Sequence, residues 1–179
     1  RRSHEDSVSR AVDRDHVTPA AVVLRDVTIV EVLDDLAVAI GHFRMAVLLF
    51  EEGGFEGNDI VGYRASMALM HALQSGHTSV EAALVKALDI LGEDPPHGGD
   101  WHATIIRRLS RERRDEFARP AILSPELARD LDETRRFRHR AMHVYEGFDA
   151  RLAAPAVEAA ERLVTGLGAI VERLKSLDG

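Results

Sequence analysis

A chain of 179 residues suits one domain with a sizeable core, and two independent domains would be cramped. Hydrophobic residues make up 45% of it and aromatics 5%, a helix-rich vocabulary, and the lack of cysteine excludes disulfides and thiolate metal sites. The formal net charge of −7 opposes a generic nucleic-acid coat, which works by neutralising phosphates, but allows a positive patch confined to one cleft.

Residues 1–26 are polar and charged without a sustained period, and read as an N-terminal arm or irregular helix; 27–179 read as one helical bundle. Ile29, Leu33, Leu36, Ile40, Phe43, Val47 and Phe50 recur at steps of four and three, which predicts a helix of about 24 residues ended by Gly53-Gly54. Asn58 is placed to cap the next helix, whose core side includes Ile60, Met67, Met70 and Leu73. Gly76 interrupts that pattern, and Thr78 to Glu81 has the form of a capping box, so two helices could meet there. A single helix from about 58 to 92 is preferred, because an internal Gly costs only about 1 kcal/mol. Val80, Leu84, Ala87, Leu88 and Leu91 continue its apolar face.

Gly92 to Gly99 carries Pro95-Pro96 and Gly98-Gly99 and is expected to be a loop, after which Asp100 caps a short helix from Trp101. Residues 107–119 read as a charged, salt-bridged, exposed stretch that stops at Arg119-Pro120. Ser124-Pro125-Glu126 is a helix start: a capping hydroxyl, a Pro at the first position and an acid in the first turn. That helix is expected to reach about Tyr145, with Gly147 as its stop. Pro155 opens the last helix, striped by Val157, Ala160, Val164, Leu167, Val171 and Leu174. No useful strand-like alternation occurs, and the fold class is all-α, an antiparallel bundle of four to five helices. No apolar run approaches the roughly 20 residues needed to span a bilayer. The first residues lack a secretory signal's basic-then-apolar order, so a cytoplasmic home is expected.

One helix differs from the rest. Residues 135–145 hold Arg135, Arg136, Arg138, Arg140, His139 and His143, with no acid, before Tyr145. Arg138 continues the stripe of Leu127, Leu131 and Thr134, so its charge requires a partner, a ligand or a subunit boundary. His143 follows five residues later, about 140° around the helix, within reach of a phosphate that a long Arg also holds. His titrates near neutrality and Arg grips phosphate with a planar fork of donors, which together supply acid–base chemistry and charge stabilisation without a metal. His139 and His143 have the spacing of a helical zinc site, but no Glu completes that motif and the surrounding arginines repel a divalent ion. No metal and no cofactor are therefore expected. Trp101 and His102 read most simply as Trp packing with His102 near a cap, and Met67 and Met70 as core filling.

Arg138-x4-His143, with polar His139 directly after the Arg, resembles the RX4-6H motif of HEPN domains, and Arg138-x4-His143-Val144-Tyr145 resembles the longer motif of HepT-like toxins. Asp100-Trp101-His102, Arg119-Pro120 and Phe137-Arg138-His139 look like further elements of one HepT-like branch. The resemblance covers roughly residues 58–150. It implies a HEPN-like bundle that dimerises through the motif helix and acts as a metal-independent endoribonuclease, leaving a 2′,3′-cyclic phosphate and a 5′-OH. By position it implies that Arg138 polarises the scissile phosphate, that His143 acts on the 2′-OH or the leaving oxygen, and that His139 assists. Arg140 is a candidate substrate contact. Tyr145 would be adenylylated by a cognate nucleotidyltransferase antitoxin. Two other readings compete: a non-catalytic HEPN module binding nucleotide or RNA, and a helical antitoxin or adaptor that docks an acidic enzyme.

Overall fold

The computed structural model describes residues 19–57, 59–116, 118–143 and 149–177, with the backbone alone at 19–28, 139–143 and 150. Six helical segments occur among them: α1 (Pro19–Glu52), α2 (Ile60–Ile90), α3 (Trp101–Leu109), α4 (Pro125–His143), α5 (Ala150–Gly166) and α6 (Gly168–Lys175). The fold is all-α, as the sequence predicts. α1 packs along α2 and α5, α4 packs on α5 and α2, and α3 closes the edge between α2 and α4. No helix of the described residues is long and apolar enough to cross a membrane.

α1 starts at Pro19, well before the periodic stripe, and is 34 residues long. Its buried line is Val32, Leu36, Ala39, Phe43 and Ala46, rotated from the predicted one; Leu33 is exposed. Ala39 and Ala46 explain the rotation, because their small side chains let α1 lie close against its neighbours. Gly53 and Gly54 end α1 with φ of 74° and 86°, a left-handed turn that a side chain would strain.

α2 is one unbroken helix across Gly76, as predicted. A Cβ at Gly76 would stand 2.6 Å from Phe43 Cε1, so the glycine admits the buried ring of α1. The cap is Asp59, whose Oδ1 accepts from the backbone N–H of Val61 at 3.1 Å and Gly62 at 3.0 Å; Asn58 lies outside the described residues. Ile60 and Met67, expected in the core, are exposed. Both lie on a face of α2 that turns outward near its start, where Val61, Tyr63 and Arg64 are exposed as well.

α3 ends at Leu109, earlier than the charged run suggested, and its N-cap Asp100 makes no side-chain cap bond. The following loop is closed by an antiparallel bridge between Arg113 and Arg119. The Arg119 side chain is largely covered rather than exposed: its Nε donates to Glu93 at 2.6 Å, its Nη1 to the carbonyls of Arg111 at 3.0 Å and Pro120 at 3.2 Å, and its Nη2 to that of Arg108 at 3.4 Å. Four satisfied donors on one guanidinium make burial of that charge tolerable. Ser124 Oγ caps α4 by accepting from Leu127 N–H at 3.2 Å, as predicted. The expected end of α4 near Tyr145 and the Gly147 stop fall outside the described residues.

The last predicted helix is two segments, α5 and α6, interrupted at Leu167 between Gly166 and Gly168. Its start is Ala150, capped by Asp149 Oδ1 accepting from Arg151 N–H at 2.9 Å; Pro155 is interior rather than first. A proline so near the start loses one backbone bond while its fixed φ still suits the helix. Asp130 of α4, buried, takes Arg162 of α5 bidentately at 2.8 to 3.1 Å and fixes that pair of helices.

Candidate active site

The stripe on α4 runs Leu127, Leu131, Thr134, Arg138, and the first three are buried. The partner that Arg138 requires lies in the same chain. Its Nη1 donates to Glu81 Oε2 of α2 at 2.7 Å. This removes the argument that Arg138's position on an apolar stripe by itself demands a second subunit.

Glu81 is the hub of the site. Its other oxygen, Oε1, meets His77 Nε2 at 3.1 Å and also pairs with Nδ1 of His102 at the start of α3. Behind it, His77 Nδ1 meets Thr134 Oγ1 at 2.9 Å, and the Thr134 hydroxyl donates to the Leu131 carbonyl at 3.0 Å. The ionised Glu81 carboxylate accepts from His77 Nε2–H, and the Thr134 hydroxyl pairs with the other ring nitrogen. The carboxylate thus ties α2, α3 and α4 at one point. Burial by itself would push the Glu81 carboxyl up; the His77 hydrogen bond and the charges of His77, His102 and Arg138 outweigh it, and the group is held below its ordinary value.

The hub also changes the reading of 78–81. Glu81 does not cap a helix, because no helix starts there; it turns inward with His77, one turn earlier, in a ladder that continues Leu73. Sequence reasoning missed both. The available signal was two ionisable residues spaced i, i+4 beside the apolar stripe of α2, facing the same way as its leucines. His102 likewise is not a cap residue. It is held on Glu81, with the Trp101 ring against it at a centroid distance of 3.8 Å.

The positive run is partly neutralised at its beginning. Asp132 pairs with Arg135 at 2.8 Å and with Arg136 at 2.7 Å, and among the described side chains of the run Arg138 is the cation that lines a cleft. That cleft, about 390 Å³, is lined by Gln74, Ser75, Thr78, Ser79 and Arg138. An amide, three hydroxyls and one guanidinium offer donors to phosphate and ribose oxygens, and none of the lining residues is an acid. His139, Arg140 and His143 belong to α4 by backbone; their side chains, and Tyr145 entirely, lie outside the described residues. Among the described residues, no group of three or more His, Cys, Asp or Glu is arranged to hold a metal ion. Arg113 and Arg114 pair with Asp115 and Glu112 respectively, the salt-bridged surface expected of that stretch.

Neither a curated protein nor a solved structure matches the chain. A family model described as "HepT-like protein" matches residues 68–177, well over half of the chain. The match takes in the Glu81 hub, α3, the Arg138 helix and the last two helices, and the chain belongs to the HepT-like family.

Proposed function

We propose that this protein is a metal-independent endoribonuclease toxin that cuts RNA at the Arg138 site. The observation that carries the reading is Arg138 itself. It is anchored by a buried carboxylate through one nitrogen, and it lines a cleft otherwise made of neutral hydrogen-bonding groups. An anchored guanidinium still has donors free for a phosphodiester, and one held in place costs little ordering when substrate arrives. In this reading Arg138 neutralises the charge that builds on the phosphate oxygens, and the motif's His143 moves a proton to or from the reacting oxygens. His139 assists and Arg140 contacts substrate. Attack of the ribose 2′-oxygen on phosphorus expels the 5′-oxygen, leaving a 2′,3′-cyclic phosphate and a 5′-OH.

Regulation follows the same chemistry. A cognate nucleotidyltransferase antitoxin that adenylylates Tyr145, two residues beyond His143, would place a bulky anion beside the cations meant for RNA. We read the chain further as a homodimer meeting through the motif helix. The test is end-group analysis of RNA incubated with the protein in EDTA. Cyclic phosphate and 5′-OH ends support the proposal; intact RNA, or cleavage that needs a divalent ion, overturns it.

A further inference from the structure

Three donors converge on the Glu81 carboxylate, and they differ in their access to solvent. His77 is sealed, with 1% of its side chain exposed, whereas Arg138 and His102 are exposed at 29% and 30%. The carboxylate therefore holds two partly exposed groups, one on each oxygen: Arg138, which lines the cleft, and His102, which stands outside the cleft's own lining. One is the guanidinium that grips phosphate. The other is an imidazole whose Nδ1 faces the carboxylate, so Nδ1 carries a hydrogen and Nε2 is the nitrogen left for proton exchange with substrate. Trp101, tilted 33° against the imidazole at 3.8 Å, holds the plane of the ring. A buried carboxylate that orients a half-exposed imidazole, with the free nitrogen turned away, is the arrangement of a general base.

We infer that His102 is a second acid–base residue of this site, the base that takes the 2′-OH proton, with Glu81 as its positioning residue. The inference rests on the ribonuclease reading above. Transphosphorylation moves two protons, one off the nucleophile and one onto the leaving oxygen, and two imidazoles with fixed roles serve it better than one. His102 Nε2 accepts the 2′-OH proton as O2′ bonds to phosphorus. The P–O5′ bond breaks, and O5′ takes a proton from protonated His143. Arg138 meanwhile holds the non-bridging oxygens. No water, metal or redox partner is consumed, and the two histidines return to their starting states by proton exchange with solvent.

Two substrates separate the roles: an oligoribonucleotide, and uridine 3′-(4-nitrophenyl phosphate), whose leaving group departs without a proton. His102→Ala should lose about 10²- to 10⁴-fold in kcat on both substrates, the range expected for a lost proton-transfer group. Added imidazole should restore part of that loss. His143→Ala should be impaired on RNA and largely recovered on the nitrophenyl substrate. Long-range ¹H–¹⁵N spectra of the unmodified protein at alkaline pH should show His102 protonated at Nδ1. Wild-type-like cleavage by a folded His102→Ala, recovery of that variant on the nitrophenyl substrate, or an Nε2–H tautomer would each overturn the inference and leave the ribonuclease reading standing. A wild-type protein inert on both substrates overturns both.

Discussion

Replacing Glu81 by Ala tests how the site is held together. The carboxylate accepts from Arg138 at 2.7 Å, from His77 at 3.1 Å and from His102. Arg138 and His102 can turn to water when it goes, but His77 cannot, and its Nε2–H is left buried without an acceptor. A buried donor stranded in this way costs about 1–3 kcal/mol, and breaking a buried pair by removing one partner costs about 3–5 kcal/mol when neither group can rehydrate. Two of the three donors can, and Ala gains a few tenths in helix propensity, so the net loss should be about 3 kcal/mol. For a chain of this size that lowers Tm by roughly 6–12 °C in a thermal melt. The exposed pair of Lys175 with Glu172, at 3.2 Å, is the comparison: Glu172→Ala should cost under about 1 kcal/mol. Acidity supplies a second axis. A carboxyl held below its ordinary value stabilises the fold above the unfolded pKa, and that contribution disappears as pH falls through the folded one. The gap between wild type and Glu81→Gln should therefore hold steady from neutral pH down to 4.5 and close below it. A Glu81→Ala melt no lower than that of Glu172→Ala, or a Gln gap that persists in acid, would refute the hub.

Gly76→Ala should destabilise despite the better helix former, because its Cβ would stand 2.6 and 2.7 Å from Phe43 ring carbons; the clash should cost about 1–3 kcal/mol in urea melts, against about 1 kcal/mol of propensity gained. Asp59→Ala removes the acceptor for two first-turn N–H groups of α2 and should cost about 1 kcal/mol by the same measurement. Co-expression with the cognate nucleotidyltransferase should add one or more AMP masses at Tyr145 in intact-mass spectra, and Tyr145→Phe should still cut RNA yet escape neutralisation.

The helical architecture was legible because it rests on periodicity and punctuation, which are local. The Ser124-Pro125 start of α4 and the continuity of α2 through Gly76 both followed from that grammar. What the sequence hid was long-range. Thr78 to Glu81 satisfies the local rule for a cap, and nothing nearby shows that Arg138, 57 residues on, would claim the carboxylate. Arg119 looked like one more charge in an exposed run, and its burial depends on Glu93, 26 residues away. Pro155 read as a helix start because Pro favours that position, but Asp149 had already supplied the cap. For the site, Arg138 was found by composition, whereas its anchor and the hydroxyl-lined cleft on α2 required the packing of α2 against α4.

The most direct test of the account is RNA cleavage in EDTA by wild type, Arg138→Ala, His143→Ala and the double variant, each shown to be folded by circular dichroism. If the two residues act as one unit, either single change should remove most of the activity, and the double variant should be little worse than the singles. Losses in the singles that multiply in the double variant would contradict a shared site. Cleavage that survives in Arg138→Ala, or stops in wild type once the chelator is added, would contradict the central claim.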